Sequence, residues 1–209
     1  NLLDVHLSVE GLKRITEPVD ILDRDAFEKE LNELGSLRAK ADAIRTRLAK
    51  SINTKYQENP AYYENFSKRI KEALELYKAR TITEAEYLAK MRDILEDYRT
   101  GKSAIAYPDR IRANVHAQAF YGVLTAIFSN EKLSVEPDFA AEMALDITTI
   151  IEKHSQVDWT HNLTIHDRIS QDIDDLFYRY QKERGLVLSF DVIDMIIENV
   201  KTVALRRFA

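Results

Sequence analysis

The side chains in this sequence that could do chemistry include lysines, arginines, acids and five histidines, and the chain contains no cysteine. The lack of cysteine excludes disulfides, thiolate nucleophiles and cysteine-ligated metals, and it fits a reducing cytoplasm. Gly101-Lys102-Ser103 matches the end of a phosphate-binding loop, but Glu96 stands where that loop needs its first glycine. Without a glycine-rich turn the backbone amides cannot surround a phosphate. We therefore interpret Gly101 as a helix C-cap.

Three other patterns resemble parts of catalytic sites and lack the rest. Pro108-Asp109 is typical of the start of a metal-dependent nuclease motif, but no Asp-x-Lys or Glu-x-Lys follows it. The histidines lack the spacing of a zinc site. The acids of residues 167–175 would point in several directions around a helix, as on a solvated face. We predict no catalytic residue and no metal site.

A basic stretch at residues 34–58 is the best candidate for binding. It carries six bases and two acids, whereas the whole chain has a net charge of −5, which would repel nucleic acid. The bases do not all share one helical face, so phosphate contact and a solvated or partner-contacting face both stay open. The candidate DNA contacts are Arg38, Arg45, Arg47, Lys50 and Lys55.

The elements that must position these side chains are helices. Apolar residues recur at steps of three and four, which is typical of amphipathic helices, and five glycines with four prolines leave little material for turns. We predict an all-α bundle of six to eight helices with short connections. The predicted helices cover about residues 25–56 with a bend at Gly35-Ser36, 60–79, 84–100 and 109–128, one that Pro137 opens, 164–184, and one that Ser189 caps.

The predicted organisation has two parts. Residues 1–58 form an irregular lead-in and a long amphipathic helix, and residues 59–209 form the C-terminal helical bundle, unless both make one continuous domain. The sequence begins with Asn1 and not with methionine, so we expect a piece of a longer chain. There is no run of about 18 apolar residues, so we expect no membrane span.

A second candidate surface would face a protein partner. Trp159 lies in a predicted break between helices, where it either plugs the bundle or anchors a partner. Arg206 and Arg207 lie near the C-terminus of the last predicted helix, where they also suit the helix dipole. Trp159, Arg206 and Arg207 are therefore our candidates for a partner interface.

Five short motifs follow one another along the chain, at Asn59–Tyr63, Phe66–Ile70, Glu84–Leu88, Ala119–Tyr121 and Val157–Thr160. In this order they resemble the C-terminal helical region of the restriction (motor and endonuclease) subunit of Type I restriction-modification enzymes. In that family the motif at Val157–Thr160 precedes a helix with a regularly placed basic residue, which is Arg168 here. The resemblance therefore adds Arg168 to the predicted partner interface. The helix departs from many relatives in carrying Asp172, Asp174 and Asp175.

The resemblance implies a parent subunit with a nuclease domain and ATP-driven DNA-translocating motor domains, which use ATP and Mg²⁺. It implies that this region is non-catalytic and docks the motor subunit onto the methyltransferase and specificity subunits. The other partners implied are the subunit's own motor domains and duplex DNA. Two alternatives stay open: a module that guides duplex DNA with the basic helix, and a bundle that contacts a regulatory nucleotide.

Overall fold

A computed structural model describes residues 19–102, 105–156 and 158–209. These residues form eight α-helices and include no β-strand, so the all-α prediction is confirmed. Most of the predicted lead-in, together with Ser103 and Val157, lies outside the described residues. The helices are α1 (Arg24–Asn32), α2 (Leu37–Lys55), α3 (Pro60–Lys78), α4 (Glu84–Thr100), α5 (Val115–Asn130), α6 (Pro137–His154), α7 (Leu163–Arg184) and α8 (Phe190–Arg207).

Local capping chemistry sets most helix ends. Ser36 caps α2 by accepting a hydrogen bond from the backbone N–H of Ala39, which places a break at Gly35-Ser36 as predicted. Asn59 caps α3 and Pro60 is its first residue, where a missing backbone N–H costs nothing. The Thr83–Glu86 capping box and the left-handed Gly101 at the end of α4 are confirmed, as is Ser189 at the start of α8.

The predicted helix 109–128 is wrong at its start. Residues Asp109–Ile111 form a single 3-10 turn, and α5 begins only at Val115. The Asn114 side chain accepts hydrogen bonds from the backbone N–H groups of His116 and Ala117, which fixes the start of the helix there. Ile111 is fully buried, so it matched the apolar pattern of the helix although it reaches the core from the turn.

The apolar side chains form two hydrophobic clusters. The first cluster comes from α1 to α4 and the residues just before them, with Phe27, Phe66 and Tyr87 fully buried. The second comes from α5 to α8 and the turns at 109–111 and 159–161, with Phe120 and Phe177 at its centre. The boundary predicted at residues 58 and 59 falls between α2 and α3, which both belong to the first cluster; as a domain boundary it stays a prediction.

The two clusters meet where α3 packs closely on α5. A Cβ atom built on Gly122 of α5 would lie 2.7 Å from the Cβ of Ala61 on α3, closer than carbon atoms approach. Glycine at position 122 therefore lets the two helix backbones approach. The end of α8 also reaches this junction, through Arg206 and Arg207.

Candidate interaction surfaces

The basic helix α2 presents three of the predicted DNA contacts to one groove. Arg47, Lys50 and Lys55 line it together with the hydroxyl-bearing Ser51 and Thr54. The opposite wall is the segment Val19–Ile21 that precedes α1. We call this the α2 groove; its volume is about 190 Å³, several times the roughly 30 Å³ that one water occupies.

The other two predicted DNA contacts are not brought to the α2 groove. Arg38 and Arg45 both lie against Asp42, with nitrogen-to-oxygen distances of 3.7 and 3.3 Å. These pairs are spaced four and three residues apart on the same helix, where side chains are neighbours. The charge of Asp42 thus offsets the basic character of this side of α2.

The charges in the α2 groove differ in how they are held. Arg47 donates to the Glu30 carboxylate of α1 at 2.7 Å, and its side chain is 22% exposed. Lys50 and Lys55 make no ion pair within the described part of the chain. The charges of Lys50 and Lys55 are therefore available to a ligand, and they lie beside Arg47, which its ion pair with Glu30 holds in place.

Trp159 is buried, at 3% exposure. Its indole N–H donates to the backbone carbonyl of Phe208 at 2.9 Å, and the His166 ring packs against it edge to face. Of the two roles predicted for Trp159, this geometry corresponds to plugging the bundle. A protein partner that bound near Trp159 would contact the residues around the indole and not the buried indole itself.

Arg206 and Arg207 both bind within the chain. Arg207 donates to the backbone carbonyls of Glu58 and Val115 at 3.2 and 3.0 Å, and to Nδ1 of His116 at 3.3 Å. Arg206 donates to the side-chain oxygen of Gln57 at 2.9 Å. Burial lowers the pKa of Arg207. The two arginines thus connect the end of α8 to the junction of the clusters.

Arg168 is the predicted interface residue that remains on the surface. It is exposed on α7 and pairs with no acid among the residues that the structure describes. One acid of the same helix is engaged: Asp172 accepts from His154 and Lys153 of α6 at 2.8 and 2.9 Å. Those hydrogen bonds, from His154 first, lower the pKa of Asp172.

An exposed apolar pair was missed by the sequence reasoning. Val187 and Phe190 are 82% and 84% exposed and lie where α7 connects to α8. The available signal was the apolar run Leu186-Val187-Leu188 between the cap residues Gly185 and Ser189. Periodicity cannot assign such a run to the core or to the surface, because it lies outside any helix.

The described residues include no group of three or more histidine and acid side chains that could hold a metal ion. No helix among them is long and apolar enough to cross a membrane. Gly101 has φ +71° and ends α4, as expected of a cap and not of a phosphate loop.

Comparison with curated proteins and with solved structures gave no match. A comparison with protein families matched residues 8–204 to the family described as Type I restriction enzyme HindI endonuclease subunit-like, C-terminal. The match extends beyond residues 55–180, where the sequence motifs lie, and it confirms the predicted resemblance. The chain therefore belongs to the family of C-terminal regions of Type I restriction enzyme endonuclease subunits that are HindI-like.

Proposed function

We propose that this bundle docks the restriction subunit onto the methyltransferase and specificity subunits and has no active site of its own. ATP, Mg²⁺ and DNA cleavage then belong to other parts of the parent subunit. The supporting observation is the exposed apolar pair at the α7–α8 connection, Val187 and Phe190. Large apolar side chains that protrude from a surface are typical of the anchors of protein interfaces.

The connection around this pair is held in place. Leu188 is buried and Leu186 packs against the second cluster, so the residues on both sides of Val187 point inward. The Gln181 side chain donates to the Leu188 carbonyl at 2.9 Å, and Ser189 caps α8 immediately before Phe190. A fixed anchor loses little conformational entropy on binding.

The charge near the pair favours a protein partner over DNA. Asp191 and Asp194 follow Phe190 on α8, and both are exposed. Neither makes an ion pair within the described residues. Such acids would repel the phosphate backbone and would suit a partner with an apolar pocket and a basic rim.

The test is complex formation with the purified methyltransferase–specificity core, measured by size exclusion with light scattering. Phe190→Asp should abolish co-elution or weaken binding by about 30-fold or more, as expected for a hot-spot residue worth about 2 kcal/mol. Leu163→Asp is the matched control. Leu163 is 75% exposed and is the first residue of α7, as Phe190 is of α8.

Both substitutions place a carboxylate at the first position of a helix, where the dipole favours it. They should therefore have equal effects on folding, and only Phe190→Asp should affect docking. If the two variants bind the core equally well, the pair is not the anchor. If the unaltered chain does not bind the core, the docking function itself is wrong.

A further inference from the structure

We propose that the α2 groove binds consecutive phosphates of a nucleic-acid backbone. The groove brings Lys50 and Lys55, both without an acidic partner in the described residues, beside Arg47 and two hydroxyl side chains. This site lies on a helix that packs on the first hydrophobic cluster, whereas the proposed docking pair lies between two helices that pack on the second. Phosphate binding and subunit docking can therefore be separated by mutation.

The spacing of the lining residues suits an extended anion. Arg47, Lys50, Ser51 and Thr54 follow one another at helical steps of three, one and three, so they share one face of α2. The face from Arg47 to Lys55 is about 12 Å long, at about 1.5 Å per residue. One DNA strand places a phosphate about every 3.4 Å along the helix axis. The strand also winds around that axis, so successive phosphates lie farther apart than this rise, and the groove can follow about two of them.

The ion pairs of α1 and α2 determine which positive charges of α2 are free to bind a phosphate. Glu30 holds the Arg47 guanidinium at 2.7 Å, which fixes the direction of its remaining N–H groups. Asp42 offsets Arg38 and Arg45 on the other side of the helix. Within the groove, the positive charge that no acid compensates is that of Lys50 and Lys55, which can displace counterions from phosphates. Lys40, the other α2 lysine without an ion pair in the described residues, is not part of the groove lining.

The hydroxyl groups that line the groove add a hydrogen-bond donor for a phosphate oxygen. Ser51 Oγ lies 2.6 Å from the hydroxyl oxygen of Tyr98, and either can donate. When Tyr98 donates, the Ser51 proton is left for a phosphate oxygen. Thr54 already donates to the Lys50 carbonyl at 3.0 Å. The lining also contains one acid, Asp20, which accepts a hydrogen bond from the backbone N–H of Leu22 at 2.9 Å and keeps its negative charge. The two unpaired lysines outnumber it.

The test is binding of a labelled duplex of arbitrary sequence to the 209-residue chain, measured by fluorescence anisotropy over a range of salt concentrations. The variant K50Q/K55Q removes the two free charges. The matched control R38Q/R45Q removes two charges from the same helix, outside the groove. Each phosphate contact contributes about 0.9 to the slope of log affinity against log salt.

For the unaltered chain we expect affinity that does not depend on sequence and falls steeply with salt. K50Q/K55Q should lower the slope by about 1.8, two contacts at about 0.9 each, while R38Q/R45Q leaves it nearly unchanged. Equal losses in both variants would overturn the groove as the site. No binding by a chain that circular dichroism shows to be folded would overturn the proposal altogether.

Two further binding measurements distinguish a nucleic-acid backbone from a small phosphate anion as the ligand. A labelled single strand should lose about 1.4 from its slope in K50Q/K55Q if single strands use the same groove, since each contact is worth about 0.7 there. Inorganic phosphate should not compete at matched ionic strength. Competition by inorganic phosphate that K50Q/K55Q abolishes would assign the groove to a small anion and overturn the backbone-binding proposal.

Discussion

The indole N–H of Trp159 donates a hydrogen bond of 2.9 Å to the backbone carbonyl of Phe208, 49 positions along the chain. This contact fixes the end of α8 against the 3-10 turn at Trp159–His161. It also places the Phe208 ring over His116, with the ring centres 4.4 Å apart. The end of α8 and Phe208 are therefore part of the packed structure.

Replacing Trp159 with phenylalanine should destabilise the fold. The substitution keeps an aromatic ring, removes the donor to Phe208 and leaves a small cavity, so we expect a loss of about 1–3 kcal/mol in the free energy of unfolding. Urea unfolding measures this change in the free energy of unfolding. Tyr178→Phe removes a hydroxyl from a side chain that is 65% exposed and should change the free energy by less than about 0.5 kcal/mol. Equal effects would mean that the indole hydrogen bond contributes nothing.

Gly122→Ala tests the close approach of α3 and α5. The new methyl group would meet Ala61 at 2.7 Å, and overpacking costs about 1–3 kcal/mol, of which alanine's helix preference offsets up to about 1. We expect a net loss of about 1–2 kcal/mol by urea unfolding.

The same change at Gly35 meets nothing within 4 Å and should leave stability nearly unchanged. The double variant Ala61→Gly with Gly122→Ala should recover part of the loss, because the contact is relieved from the other helix. A double variant whose loss is only the sum of two separate losses would show that the two positions do not collide.

His116 should make the stability of the fold depend on pH. Burial, and then the charge of Arg207, lower the pKa of His116, although Glu152 acts in the opposite direction. In the unfolded chain the imidazole has its ordinary pKa of about 6.5. The unfolded state therefore binds more protons just below that pH, so the free energy of unfolding decreases as the pH falls through about 6.5.

His116→Asn checks this dependence. The amide oxygen can still accept from Arg207 near the position of Nδ1, but the side chain no longer titrates. Urea unfolding between about pH 7.5 and 5.5 should show a steeper fall for the unaltered chain than for the variant. Parallel pH profiles would rule out a contribution from His116.

Thr83 should control the pKa of Glu86. Hydrogen bonds from the backbone N–H and then the hydroxyl of Thr83 lower that pKa. Thr83→Ala removes the hydroxyl, so the Glu86 pKa should rise towards its ordinary value, and the loss of the cap should cost about 1 kcal/mol. Thr83→Ser keeps the hydroxyl and should change neither quantity. NMR titration of Glu86 and urea unfolding measure the two effects. A Glu86 pKa that is the same in Thr83→Ala as in the unaltered chain would show that the Thr83 hydroxyl contributes nothing to it and that the backbone N–H of residue 83 accounts for the lowered pKa.

The parts of the fold that the sequence predicted are those that neighbouring residues decide. Ser36, Asn59 and Ser189 each cap a helix by accepting from the N–H three residues away, so short sequence motifs were enough to predict where these helices start. The start of α5 was missed because Asn114 competes with an apolar pattern that runs through Ile111. Only the hydrogen bonds of the Asn114 side chain decide between those two starts.

The candidate surfaces depend more on contacts between residues that are far apart in the sequence, so less of them could be predicted. Pairing of Arg38 and Arg45 with Asp42 follows from spacings of four and three residues and could have been predicted. Pairing of Arg47 with Glu30 spans the break between α1 and α2, and its distance could not be known without the angle of that break. The Arg207 contacts span 91 and more positions, beyond the reach of any local pattern.

Arg207 binds backbone oxygens at Glu58 and Val115 and not their side chains. A carbonyl group is present whichever amino acid occupies a position, so evolutionary drift at 58 and 115 can change both residues without removing the acceptors. Identity is required at position 207, because only a forked guanidinium reaches both oxygens and His116 together, and at position 116, whose side chain supplies the third acceptor. Among homologues, variation should therefore concentrate at positions 58 and 115 and invariance at positions 116 and 207.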